Sequence, residues 1–234
     1  MIVFEQVHLT LGRQTFDFDV RIKSGSVTMI VGASGSGKST FLNLLAGFER
    51  PLSGSILIDD ARVDALLPGQ RPLSMVFQSN NLFAHLPVET NVALGIRPAM
   101  TFTADERQTV SKALQDVGLA GFENRLPETL SGGEQQRVAF ARALVRKKKI
   151  LALDEPFAAL DPAMREEMGS LLLTLHQREK NTIIMVTHNP DDVAALATDV
   201  ILLADGRILF SGTKDAFLQH GDMSASSGLF AKRE

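Results

Sequence analysis

The chain has 234 residues, 44% hydrophobic and 22% charged, which suits a soluble globular fold with one sizeable core, or one domain with a subdomain. A net charge of -3 argues against a nucleic-acid partner held by phosphate neutralisation. The absence of cysteine excludes disulfides and thiolate metal sites and fits a reducing compartment. Met1 to Leu11 carries Glu5 and alternates apolar with polar residues, so it reads as a strand rather than a signal peptide. No apolar stretch approaches the ~18 residues that span a bilayer. No direct membrane span is expected, and any membrane role must pass through a partner.

In chain order, residues 2–9 and 15–23 are predicted strands, and Ser24-Gly25 is a turn. Val27–Val31 is a buried strand. A helix is predicted over about Lys38 to Ala46, with Phe41, Leu42, Leu44 and Leu45 inward, and Gly47 ends it. Pro51 to Gly54 turns into the strand Ser55–Ile58, and residues 73–78 form another strand ending at Gln78. From about Asn81 to Arg146 the pattern is helical, with loops at Arg97-Pro98 and Arg125-Leu126-Pro127. The basic run Arg146-Lys147-Lys148-Lys149 reads as a solvated helix end suited to the negative end of the dipole. Ile150–Leu153 is a buried strand, and Asp161-Pro162 opens a helix with Asp as N-cap. Ile183–Val186 and Val200–Leu203 are further buried strands. The tail after Gly212 is short, and residues 222–234 are expected to fray. Strands alternating with helices imply a parallel-rich α/β sheet, here with an inserted helical subdomain.

Gly32-Ala33-Ser34-Gly35-Ser36-Gly37-Lys38-Ser39 is a G-x-x-x-x-G-K-S phosphate loop between a strand and a helix. Its glycines let backbone N–H groups point inward at phosphates, and the helix dipole adds positive potential. Lys38 is expected to reach the β- and γ-phosphates, and Ser39 to coordinate Mg²⁺. Thr40 completes the nucleotide-binding set. In Ile150-Leu151-Ala152-Leu153-Asp154-Glu155 a buried strand delivers two acids at its carboxyl end. Asp154 suits Mg²⁺ held through water, and Glu155 suits polarisation of an attacking water. The alternative, an acid pair capping the next helix, sits poorly with Pro156 and with the cost of acids beside four buried residues. Leu130-Ser131-Gly132-Gly133-Glu134 opens a helix, so Ser131, Gly132 and Gly133 form an anion site. The chain holds no second phosphate loop to feed it.

The two glycine motifs together resemble the ATP-binding cassette (ABC) ATPases over residues 2 to about 215. The resemblance implies a P-loop cassette with an N-terminal antiparallel β part, residues 1–80 and about 148–215 forming the ATP-binding core, about 81–147 the helical signature subdomain, and 216–234 a short tail. It implies ATP and Mg²⁺ as cofactors, Gln78 as the Q-loop residue touching Mg²⁺ and water, and His188 as the switch histidine. It also implies that Asp161 lies in the D-loop and that two copies pack head to tail, each signature motif covering the other's ATP. Residues 71–86, Leu44 to Phe48 and Leu153 to Phe157 resemble the ATPase subunits of bacterial thiamine importers. The implied role is a motor subunit on the cytoplasmic face of the inner membrane, with permease subunits and a periplasmic solute-binding protein. Iron, polyamine, sulfate and molybdate importers are the alternative; a soluble non-transport ABC ATPase fits less well. The short length implies that a regulatory C-terminal domain is lacking. Phe83, Leu86 and Val88 are expected either to contact the permease or to pack as core. Two departures from the family are Glu134, where Gln is frequent, and Ala158, where Ser is common. A third concerns adenine, which the family stacks on an aromatic residue. Leu11 stands there, with Phe16 and Phe18 nearby, and the chain has no Tyr or Trp.

Overall fold

The computed structural model describes residues 1–79 and 81–219. Expectations that fall on Asn80, His220 or residues 222–234 lie outside them. The elements are β1 (Ile2–Leu11), β2 (Gln14–Ile22), β3 (Val27–Val31), α1 (Lys38–Ala46), β4 (Ser53–Ile58), β5 (Ala61–Arg62), β6 (Leu73–Val76), α2 (Val88–Ala93), α3 (Ala104–Asp116) and α4 (Gly132–Leu144). They continue with β7 (Ile150–Asp154), α5 (Pro162–Glu179), β8 (Thr182–Val186), α6 (Pro190–Leu196), β9 (Asp199–Ala204), β10 (Arg207–Thr213) and α7 (Lys214–Gln219). The ten strands make one sheet in the order β5-β4-β1-β2-β10-β9-β3-β8-β7-β6.

From β9 to β6 the pairing is parallel. At the other end β5, β4, β1 and β2 pair antiparallel. β10 joins the two parts, antiparallel to β9 and bridged to β2 through Arg207 and Asp17. Every residue of β3 and β8 is buried, as a parallel strand covered on both faces requires. The side chains of β3, β8 and β9 alternate between two cores. Ile30, Ile184, Val186, Ile201 and Leu203 pack with α1 and the antiparallel strands. Met29, Val31, Ile183, Met185 and Leu202 pack with α4, α5 and α6 on the other face.

Two features fix α1, which carries the phosphate loop at its N-terminus. Phe41 stacks on Phe4, ring centroids 4.3 Å apart, and meets Phe18 edge-on at 5.2 Å. At the other end Gly47 takes φ 85° as the left-handed C-cap. There the fully buried Arg71 donates from Nη1 to the carbonyls of Leu44 and Leu45 at 2.6 and 2.7 Å. Its Nε and Nη2 reach the Leu66 and Asp64 carbonyls, both at 3.3 Å. The guanidinium thus satisfies helix-end carbonyls that would otherwise be buried without donors. Nothing in the local sequence around Arg71 announces this role.

The helices α2, α3 and α4 pack on one another, and α4 also touches β6. Thr103 and Glu106 form a capping box at the start of α3. Arg97 donates to Glu106 at 2.6 and 3.0 Å, and this pairing holds the carboxyl down at about 2. Val88 is fully buried, so it belongs to the core; Phe83 is 47% exposed. The described part of the segment after Gly212 is ordered secondary structure, the end of β10 and then α7. β10 alternates partly buried with exposed residues, and Phe217 of α7 is buried against Phe210, centroids 5.6 Å apart.

Two outcomes follow from these contacts. Arg71→Met should lower stability by roughly 1–3 kcal/mol for each carbonyl left without a donor; a urea denaturation midpoint within error of wild type would contradict the assignment. Glu106 has its folded pKa depressed below the ordinary 4.5, so its stabilisation is present above that value and is lost as pH falls towards about 2. The stability advantage of wild type over Glu106→Gln should therefore shrink as denaturation is moved from pH 7 to pH 3. An advantage independent of pH would refute the pairing.

Candidate active site

The site lies where adjacent parallel strands end. In the spatial order β3, β8, β7, β6, the chain leaves each strand into the phosphate loop, His188, Asp154-Glu155 and Gln78 respectively. Four sequence-distant segments are thus brought together by strand order alone.

The phosphate loop turns through positive φ at Gly32, Gly35 and Gly37, with values of 151°, 77° and 106°. At Gly32 a Cβ would lie 2.2 Å from the Leu203 carbonyl oxygen, and at Gly37 it would lie 2.9 Å from the Phe16 ring. Any larger residue is excluded by both conformation and space. Ala33, Ser34 and Gly35 are exposed. The Ser36 hydroxyl is buried and has no partner. Lys38 Nζ donates to the Gly32 and Ala33 carbonyls, each at 2.8 Å, and so folds over the loop. Burial pushes the Lys38 ammonium down, opposed by the charges of Glu155 and Asp154. Thr40 sits half-buried one turn into α1.

Asp154 ends β7 beside Ser39, whose hydroxyl favours the ionised carboxylate. Burial raises the Asp154 carboxyl above its ordinary value, and the nearby Glu155 charge adds to this. A desolvated carboxylate, a serine hydroxyl and the Gln78 amide are hard oxygen donors, which fits Mg²⁺, an ion that takes few protein oxygens and keeps waters. Among the described residues no cluster of three or more His, Cys, Asp or Glu offers a competing metal site.

Glu155 adopts φ 47°, a left-handed conformation costing an L-residue roughly 1–2 kcal/mol. Its N–H is fixed to the Val186 carbonyl at 3.1 Å. The turn brings Oε2 within 3.3 Å of Gln78 Nε2 and 3.2 Å of His188 Nδ1. The loop bearing His188 is braced beneath: the Thr187 hydroxyl donates to buried Asp192 at 2.6 Å and accepts from the Asn189 N–H at 3.1 Å. Gln136, buried in α4, donates to the Glu155 carbonyl at 3.4 Å. Asn91, fully buried, accepts from the Phe83 N–H and donates to the Phe83, Leu86 and Pro87 carbonyls, shaping the segment after Gln78. Asp192, Gln136 and Asn91 escaped the sequence reading. Buried amides and acids carry no periodic signal.

The remaining residues stand apart. Ser131, Gly132 and Gly133 begin α4 and make no hydrogen bond with the phosphate loop among the described residues. The Ser131 hydroxyl donates to Glu134 Oε2 at 2.8 Å, and the Ser131 N–H donates there at 2.7 Å. Asp161 accepts from the Met164 N–H at 3.0 Å as the α5 N-cap. Leu11 is 39% exposed at the tip of the β1–β2 hairpin. The same hairpin touches the loop through Gln14, which donates to the Gly35 carbonyl at 2.8 Å. Phe16 and Phe18 are buried, with Phe16 packed under Gly37, so neither presents a face for stacking a base.

With its pKa raised, Asp154 is penalised in the folded state once pH exceeds the unfolded value, and the penalty vanishes below it. Asp154→Asn should therefore raise the thermal midpoint of the protein without nucleotide at pH 7.5, and the gain should shrink towards pH 4. A lowered midpoint at pH 7.5 would show that the carboxylate is already compensated.

The pattern of the ABC transporter family matches residues 16–158. The thiamine import ATP-binding protein ThiQ of Rhizobium meliloti (strain 1021) is 52% identical over 219 residues, covering 94% of this chain and 92% of that one. The protein of the same name from Chelativorans sp. (strain BNC1) is 49% identical, covering 88% of this chain and 84% of that one. The dimeric post-hydrolysis structure of the ATP-binding cassette MJ0796 bound to ADP and Pi superimposes with a TM-score of 0.81 at 31% identity, covering 92% and 99% of the two chains. Identity of this level over nearly the whole length, on a sheet whose strand ends converge as described, leaves one assignment: the chain belongs to the ABC transporter family, as an ATP-hydrolysing cassette.

Proposed function

We propose that this chain is the motor subunit of a bacterial thiamine importer, in which ATP-driven closure of two copies is coupled to solute uptake. The similarity to proteins named for thiamine import, sustained over nearly the full length of both chains, carries the choice of solute. The catalytic reading rests on the meeting of Gln78, Glu155 and His188 at the mouth of the phosphate loop.

The loop N–H groups and Lys38 hold the β- and γ-phosphates. Glu155 takes up the proton of the attacking water, and Gln78 and His188 orient its carboxylate and the γ-phosphate. Ser39, Asp154 and Gln78 would hold Mg²⁺, which would supply charge neutralisation on the phosphate oxygens. Leu11 contacts adenine through apolar surface alone. Ser131, Gly132 and Gly133 of one copy cover the nucleotide of the other, with Asp161 at the interface. The solved MJ0796 dimer supports this pairing. Residues 1–80 and about 148–215 act as the ATP-binding core and about 81–147 as the signature-bearing helical unit. The exposed Phe83, beside partly buried Leu86, suits contact with a permease. No helix among the described residues is long and apolar enough to cross a membrane, so the permease supplies the attachment to the cytoplasmic face of the inner membrane. A periplasmic solute-binding protein completes the system.

Glu155→Gln should reduce ATP turnover by roughly 10²–10⁴-fold while leaving nucleotide binding intact. Turnover near wild type would remove Glu155 from the mechanism. In cells lacking the chain, thiamine uptake should return with wild type and not with Lys38→Ala. Uptake that never depends on the chain would send the solute assignment to another importer class.

A further inference from the structure

At the end of the sheet opposite the phosphate loop, a cavity of about 580 Å³ opens between α3, the C-terminal ends of α4 and α5, and the basic segment after α4. Such a volume suits a small organic ligand. Its floor is apolar, with Ala113, Leu144, Leu151 and Leu175. Ser74 of β6 also lines it. That residue is 2% exposed, and its hydroxyl has no hydrogen-bond partner. That hydroxyl is itself closed to solvent and lies behind the wall, so recognition falls to the apolar floor and the charged rim.

The rim carries both charges, but most cancel. Lys112 pairs with Asp116 at 3.0 Å and Arg178 with Glu179 at 2.8 Å. Lys147 and Lys148 form no ion pair among the described residues, and Lys149 has a single distant one, 4.0 Å from Asp59. Against these three ammonium groups stands the carboxylate of Asp105. The basic run has no task in the ATP site. Flexible lysines act as movable point charges and suit a compact, multiply charged anion. An apolar floor asks for an apolar body on the same molecule.

We propose that this cavity binds a small organic phosphate monoester. Its apolar body rests on Leu144, Leu151 and Leu175, and its phosphate is held by Lys147 and Lys148. The site adjoins the rear ends of α4 and β7, whose front ends carry the signature motif and Asp154. It is separate from the nucleotide site and does not depend on which solute is imported.

The test uses 1-naphthyl phosphate. The chain has no Trp or Tyr, so naphthyl emission is read on a dark background. Fluorescence anisotropy is titrated on the full chain with the phosphate loop saturated by a non-hydrolysable ATP analogue and Mg²⁺. Saturable binding is expected, weakened about tenfold or more in Lys147→Glu/Lys148→Glu by loss of charge-assisted bonds. That variant should hydrolyse ATP at the wild-type rate without probe. A second arm adds phosphatidylcholine vesicles containing phosphatidic acid, which should leave the probe bound. Failure to bind once the loop is filled, unchanged affinity in the double variant, or displacement by the vesicles would each overturn the proposal; the last would assign the cavity to a lipid headgroup.

Discussion

The structure depends on how tightly the phosphate loop is gripped between the two halves of the sheet. On one side it leans on β9, where only glycine at position 32 clears the Leu203 carbonyl. On the other it rests on β2, where Gly37 covers the ring of Phe16. Gly206 donates to the Ser36 carbonyl at 3.1 Å, and Gln14 holds Gly35 from above. A loop of this curvature has no internal ladder of its own. Its shape is imposed by neighbours, and the antiparallel strands serve catalysis by supplying half of the grip.

Alternation along the parallel strands ties the site to both faces of the sheet. Each strand feeds two cores, so the four strand ends cannot shift independently. Gln78, Glu155 and His188, to which the proposed mechanism assigns the phosphate and the water, are placed on the turns just beyond those ends. Glu155 is the most constrained of them, held left-handed and anchored to β8 through its own N–H. The strain is local, and the bond to Val186 offsets it.

Much of this was legible in the sequence because the signals were strong. The boundaries of β3 and α1, and the Asp161 cap of α5, agree with the run of apolar residues, the phosphate-loop pattern and the Asp-Pro pair. β10 and α7 went unread because a strand that alternates exposed with only partly buried residues resembles a polar tail. The two-residue β5 is too short to carry a period. At the site, the motif residues were visible and their supports were not. Arg71, Asn91, Gln136 and Asp192 act through tertiary hydrogen bonds to backbone and hydroxyl groups that are distant in sequence or in another element, and no local pattern encodes such contacts. Phe16 and Phe18, noted in the sequence as near Leu11, are buried, with Phe16 packed under the loop, which strand alternation alone does not announce.

One chain offers a complete phosphate loop and, at the start of α4, the Ser131-Gly132-Gly133 segment that no bond ties to it among the described residues. The central claim is that the two belong to different copies. The chain has no cysteine, so it can be tested with introduced ones. Chains carrying Ser34→Cys are mixed with chains carrying Ser131→Cys, both in a Glu155→Gln background, and treated with a short bismaleimide. The account predicts cross-linking between the two different chains that requires ATP and Mg²⁺. No cross-linking between the two different chains when ATP and Mg²⁺ are present, or cross-linking independent of ATP, would contradict it.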